Sequence, residues 1–578
     1  MRRLFSLILA ITAGCALTVG CSSSGTNGGN AGSGGNLNTP GCTAAPDCQA
    51  CSDCYSKCAC STGDLQQCYP ACGLPIPGTG GSGNTGNTGG FGNTGNTGGT
   101  GNVGNTGGTG NTGNTGGGTS TGELAKGMRI TEVSVYQGVK IPIMQNGGEV
   151  GQKNAPVVAG RPALVRIFVT PDSGWVPRDV VARLELAGAP AQEISKFVSG
   201  PSSETNWQSA FNFDIPAEQM TPNQAYSVSI YEAGNPGVAA TGSTDGARFP
   251  ASGTSLFGAQ SAGGALDVVL VPLVVNGYTP DTSAARVNAY KDRMFRLYPV
   301  DTVNMTVRSP VSFSGSVAPT STSGWNNILD KLLSVRQQDN PKKDTYYYGV
   351  LTPTASFAQF CGGACIAGLS PQASANDVFS RGSVGLGFFP SGNTPGSPDT
   401  MAHEVGHAHG LPHAPCQTGD AGPFPYSGGI IGSYGYDIVA KGLLDPAKYK
   451  DMMGYCDPVW ISDYNYDKLF SRITYVNSTA DFIALDPDRA PGKFRSALID
   501  ETGAITWGHE YDMDTSPFGD KRTIKVLDDQ GKTIKQITGF YYPVDHHSGG
   551  ILLVRESTLI GTPAQSGLNV GQTAKLAF

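Results

Sequence analysis

One segment limits what this chain can fold into more than any other. Between residues 73 and 122 it repeats "GNTGNTGGFGNTGNTGGTGNVGNTGG". Gly, Asn and Thr in that alternation offer almost no apolar surface, and glycine loses the most freedom on ordering, so the segment cannot bury a core. It reads as a flexible tether. Whatever folds must lie before residue 73 or after residue 122. Of the chain's 578 residues, 82 are glycine, and this tract holds a large share of them.

The part before the tether is short. "MRRLFSLILAITAGCALTVGC" places two arginines ahead of an apolar run and small residues ahead of a cysteine, the pattern of an export signal over residues 1–21. "LTVGC" followed by "SSSG" resembles a bacterial lipoprotein signal, which implies cleavage before Cys21 and a lipid on its thiol. The expected location is then an outer membrane or cell surface, or the exterior if the signal is an ordinary secretory one. No other stretch is long enough to cross a bilayer. Residues 22–41 continue as a polar linker. Residues 42–72 carry eight of the fourteen cysteines, from Cys42 to Cys72, and read as a small disulfide-rich module. Even cysteine numbers in an exported chain favour disulfides over zinc. The net charge of −7, with no basic run, gives no reason to expect a nucleic-acid partner.

Beyond the tether the patterning changes twice. "ALVRIFV", "VARLEL", "FNFDIP" and "YSVSIYEAG" are short alternating apolar runs between turn residues, so residues 124–255 read as an all-β sandwich. Residues 256–477 differ. "LDVVLVPLVV" is a continuous apolar run suited to a strand buried on both faces, and Val287, Tyr290, Met294 and Leu297 follow at helical spacing. "NMTVRSPVSF" reads as a strand, Trp325, Ile328, Leu332 and Val335 mark a second helix, and "TYYYGVL" and "SVGLGFF" are further strands. Strands alternating with helices predict a mixed α/β domain. Residues 478–578 return to β patterning, with "TIKVLDDQGKTIKQI" as a hairpin turning at Asp529–Gly531. The expectation is a multidomain chain, an α/β domain with a twisted mixed sheet flanked by β-sandwich domains.

The chemistry concentrates in "SPDTMAHEVGHAHGLPH", which holds four of seven histidines. Ser397 is a candidate cap and Pro398 suits a first helical position, so a helix should run from about Pro398 to His409. His403 and His407 are four apart and share a face. Two imidazoles so placed can reach one ion at about 2.0–2.1 Å. Glu404 points about 100° further round, poor as a third ligand but well placed to reach a water on the metal. Gly410 can end the helix in the left-handed conformation, Pro412 prevents its resumption, and His413 can return as the third ligand. His409 faces away from the other two and is expected to lie behind the ligands or at the surface. Three imidazoles with an open position make the catalytic form of a zinc site, although imidazole suits iron and copper as well. His509, His546 and His547 lack a ligand partner by spacing and read as surface residues.

His403, Glu404, His407, Gly410 and His413 match HExxHxxGxxH, the signature of the metzincin zinc peptidases, and over residues 260–477 the chain resembles that family. The resemblance implies a methionine turn, for which "DMMGYC" offers Met453. It also implies a zinc-approaching tyrosine two positions later, which is Tyr455. The chain is most similar to large secreted bacterial enzymes that attack mucin-like glycoproteins. If both motifs belong to one site, Cys416 and Cys456, each three residues past a motif residue, should pair. Cys361 and Cys365 in "CGGAC" would close a small loop upstream, and "YSGGIIGSYGYD" would wrap the lower wall of a cleft.

The reading that follows is a surface-tethered endopeptidase with one catalytic zinc, acting on extracellular proteins or glycoproteins, with Glu404 as general base and Tyr455 stabilising the oxyanion. Two alternatives use the same residues: a tethered adhesin with an inactive protease-like domain, and a zinc amidase of cell-wall peptides. A thermolysin-like arrangement would need a glutamate ligand from a later helix. Acidic loops such as "DPDRAPG" are the places calcium would sit, with nothing to support it. No feature sets an oligomeric state.

Overall fold

The computed structural model describes residues 120–578, except 235–239, 323, 373, 390–395, 420, 480–489, 528–532, 546–547, 560–575 and 578. The export signal with Cys21, the linkers, the cysteine-rich stretch 42–72, His546 and His547 lie outside the described residues.

From Ser120 the alternating runs form two antiparallel sheets. One orders Ser120–Leu124, Ala225–Ala233, Arg178–Leu186 and Gln192–Val198, with Arg248–Phe249 and Ser255–Leu256 also paired to Ala225–Ala233. The other orders Gly148–Glu149, Lys140–Gln145, Met128–Tyr136, Ala163–Pro171 and Phe211–Ile215. Period-two alternation puts Val180, Ala182, Leu184 and Leu186 on one inner face and Val165, Ile167 and Val169 on the other, within one buried cluster. That cluster continues without a break into the next part of the chain, through Leu266, Val268, Met294 and Leu297. Arg161, fully buried, straps the junction by donating to the carbonyls of Gln137, Phe295 and Val300.

The α/β part is built on one sheet in the order Val303–Val307, Leu266–Val275, Tyr346–Leu351, Gly382–Leu386, Gly368–Leu369, with Val311–Phe313 also beside Leu266–Val275. All pairings are parallel except the last, where Gly368–Leu369 runs antiparallel to Gly382–Leu386. The run read as a single strand, "NMTVRSPVSF", breaks at Arg308–Pro310 into two short ones, because proline cannot donate to a ladder. Helices α1 (Ala284–Leu297) and α2 (Trp325–Asp339) follow the alternation of strand and helix. They cover opposite faces, which explains the continuous apolar character of the central strands. Val268, Leu270, Tyr348 and Val350 share a core with α1, while Val271, Leu273, Tyr347 and Leu351 share one with α2. A short helix α3 (Phe357–Cys361), the histidine helix α4 (Ser397–Ala408) and α5 (Asp463–Thr479) complete the α-helices of the described residues. α4 and α5 lie on the α1 side of the sheet.

The last part differs from the expected sandwich. Its described strands form a single antiparallel sheet, ordered Ile505–Met513, Gly492–Ile499, Gly550–Arg555, Thr533–Pro543, Asp520–Leu527 and Leu576–Ala577. A second sheet is unnecessary because α2 covers one face: Phe494, Leu498, Tyr511, Tyr542 and Leu553 share the core of Trp325, Ile328 and Leu332. The hairpin between Asp520–Leu527 and Thr533–Pro543 forms, while its turn falls among residues outside the description. His509 is tied to this junction, its Nδ1 2.6 Å from the buried Asp330 of α2.

Candidate metal centre

α4 starts one residue before the expected position. Gly396 is its N-cap and Ser397 is already helical. The Ser397 hydroxyl does not cap; it is buried, donates to the Leu386 carbonyl and meets the Tyr290 hydroxyl, fastening the helix to the sheet. Pro398 occupies the first turn, and Asp399 beside it favours the positive end of the helix dipole. The helix stops where glycine permits: Gly410 has φ +84°, and its N–H and that of Leu411 bond back to His407 and Gly406.

This stop returns the chain to the helix. His407 Nε2 lies 3.1 Å from His403 Nε2 and 3.1 Å from His413 Nε2. The Nδ1 atoms of His403 and His407 face the carbonyls of Met452 and Leu411, both at 2.7 Å. A carbonyl can only accept, so each Nδ1 carries the proton and each Nε2 presents a lone pair. Convergent lone pairs in a buried site repel unless a cation lies between them. Three nitrogens about 2.0–2.1 Å from one tetrahedral ion lie about 3.3 Å apart, close to the spacing found. The residues present therefore fit zinc. His403, His407, His413 and Asp545 form a buried group whose ligand atoms all lie within 4.8 Å of one another.

Around the histidines the expected residues assemble. Glu404 is buried, and its carboxylate rests against Gly368 of the antiparallel edge strand, where a methyl group would overlap it. Tyr455 is partly exposed and its hydroxyl lies 3.0 Å from His413 Nε2. Met453 packs under the helix: a Cβ on Gly406 would lie 2.7 Å from its sulfur. Cys416 and Cys456 are joined, as are Cys361 and Cys365. The first bond ties the third-histidine loop to the methionine turn, with Ala414 N–H donating to Met453 O and Tyr455 N–H to Cys416 O beside it.

Other features went unseen in the sequence. His409 points away from the cluster as expected, but it is core rather than surface, stacked 4.2 Å from the Tyr346 ring, and burial pushes its imidazole down to about 3. "YSGGIIGSYGYD" docks on the N-terminal sheets, where Tyr436 joins Tyr136 and Leu164, and on α1, where Asp437 pairs with Arg296. Asp451 is fully buried and holds the methionine turn in place. It accepts from the Met453 and Ser462 N–H groups and from the Asn465 side chain. Its place two residues before Met453 was the only available signal. Asp545, from the far C-terminal sheet, had none.

A buried set of three imidazoles on a helix and its returning loop, in this sequence pattern, defines a zinc metalloprotease, and the protein is an enzyme of that class. Within it, residues 362–458 match the Peptidase M66 family model, a span running from the edge strand through α4 and the third histidine to the methionine turn. No curated protein matches the chain.

Proposed function

We propose that the protein is a zinc endopeptidase held at the cell surface, cleaving extracellular proteins or glycoproteins. The observation that carries this reading is the convergence of the His403, His407 and His413 Nε2 atoms, with the buried Glu404 next to His403 on the same helix. When bound, zinc supplies Lewis acidity toward the scissile carbonyl and lowers the pKa of water toward about 7.

The chain's own residues do the rest. Glu404, fixed against the edge strand, accepts the proton of the attacking water and delivers it to the leaving amine. Tyr455, its hydroxyl 3.0 Å from His413 Nε2, donates a hydrogen bond to the developing oxyanion. The edge strand Gly368–Leu369 runs antiparallel to Gly382–Leu386, and its outer side has the geometry that pairs with an extended peptide. Two disulfides in the protease part suit an oxidising, extracellular compartment. The lipid on Cys21 and the Gly-Asn-Thr tether would hold the enzyme at the membrane and let it reach outward.

Digestion of casein and of a mucin-type glycoprotein by the full chain and by Glu404→Ala tests this. The expected result is cleavage by the wild type, none after chelation, and a variant that keeps zinc but cleaves neither substrate. Normal turnover by Glu404→Ala would remove the assigned general base. Cleavage of peptidoglycan peptides with both proteins left intact would reassign the substrate to the cell wall.

A further inference from the structure

The fourth member of the buried group comes from outside the protease part. Asp545 follows the C-terminal strand Thr533–Pro543, is buried, and places Oδ2 3.5 Å from His407 Nε2. Its position is built rather than incidental. Ser370 N–H donates to Asp545 Oδ1 at 2.6 Å, and Asp545 N–H donates to Ser370 O at 3.2 Å. Val544 bridges Pro371 antiparallel, and Gln372 N–H reaches Pro543 O at 3.2 Å. Residues 370–372 continue the edge strand Gly368–Leu369. The segment Pro543–Asp545 thus runs antiparallel beside that continuation of the edge, through one bridge and two backbone hydrogen bonds.

Main-chain pairing along a sheet edge is how an extended peptide is recognised, so a piece of the chain occupies a place suited to substrate. Three imidazole nitrogens and one carboxylate oxygen, all buried, lie within 4.8 Å of one another, an arrangement that suits a divalent ion. One divalent ion satisfies all four groups. The Oδ2 to Nε2 distance is near the roughly 3.3 Å separation of ligands on a tetrahedral zinc.

We propose that Asp545 is a fourth zinc ligand and that Pro543–Asp545 is a built-in occupant of the substrate edge, so that the folded chain rests in a closed, self-inhibited state. Three protein ligands leave a position for water, whereas four close it. Peptide cleavage then requires this segment to withdraw. The proposal rests on the reading that the three imidazoles hold zinc.

The test uses the full chain, Asp545→Ala and Asp545→Asn, the second keeping a side-chain acceptor for the Ser370 N–H. Three quantities are measured: zinc affinity by competition with a chelating dye, the visible spectrum of the cobalt-substituted protein, and cleavage of a peptide substrate. The expected result is zinc affinity weaker by tenfold or more in both variants, a cobalt spectrum that shifts and responds to added acetohydroxamate only in the variants, and cleavage at least tenfold faster than wild type. Equal zinc affinity and identical cobalt spectra in all three proteins would overturn the role of Asp545 alone. Slower cleavage by both variants, with zinc retained, would overturn self-inhibition. A wild type that binds no zinc would overturn the metal reading and this proposal together.

Discussion

The Cys416–Cys456 bond makes a quantitative claim about what orders the metal centre. The cysteines are 40 residues apart, and the loop they close runs from the third histidine to the methionine turn. In the chain-entropy model, closing a loop of that length removes about 13 cal/mol/K from the open ensemble, or about 4 kcal/mol at room temperature. The bond is flanked by the Ala414-to-Met453 and Tyr455-to-Cys416 backbone hydrogen bonds, so these two amides report opening of the loop. Hydrogen exchange should be compared between wild type and the double variant Cys416→Ala, Cys456→Ala. Zinc must be removed from both, because the metal would act as a second staple through His413. At about 1.4 kcal/mol per decade, exchange at Ala414 and Tyr455 should accelerate by up to roughly 10³-fold, while amides of the strand Leu266–Val275 change far less. Unchanged exchange at both reporter amides would refute the reasoning, showing that Asp451 and the surrounding core order this loop without the cross-link.

Gly368→Ala places a methyl group on the Glu404 carboxylate. It should lower kcat by about 10²-fold through misplacement while zinc affinity holds, as read by steady-state kinetics beside metal analysis. Tyr455→Phe removes the hydroxyl beside His413 and should lower kcat by about 10²-fold with little change in KM. Asp377 is buried, and loss of hydration pushes its carboxyl up to about 6 from an ordinary 3.8. The folded chain therefore holds this proton more tightly than the unfolded chain. The stability it contributes is present below pH 3.8 and lost as pH rises through 6, a span of about 3 kcal/mol. Asp377→Asn should then unfold at higher denaturant than wild type at pH 8 and lose most of that advantage near pH 4.

The histidine cluster was legible because helical geometry is rigid. Spacing of four puts His403 and His407 on one face, and Gly410 takes the left-handed backbone that brings His413 back. The same rigidity turned His409 to the opposite side. Its burial against Tyr346 could not be read, since that depends on a strand more than fifty residues away. Alternation in "VARLEL" and continuity in "LDVVLVPLVV" were enough to tell a half-covered sheet from a doubly covered one. Strand order was not legible, nor was the packing of the C-terminal sheet on α2, because a residue's own pattern says that a face is buried but not against what. Ser397 shows the limit at short range: its hydroxyl had two good uses, and the buried one at Leu386 and Tyr290 prevailed over capping. Asp545 shows it at long range, as a carboxylate that only tertiary pairing brings to the histidines.

The most direct test is a zinc titration of the chelator-treated full chain and of His413→Ala, with folding checked by circular dichroism and the bound metal examined by X-ray absorption. The account predicts one tightly held zinc per wild-type chain with three imidazole nitrogens in its coordination, and binding weakened at least a hundredfold in the folded variant. A wild type that takes up no zinc, or a variant that binds it as tightly, would contradict it.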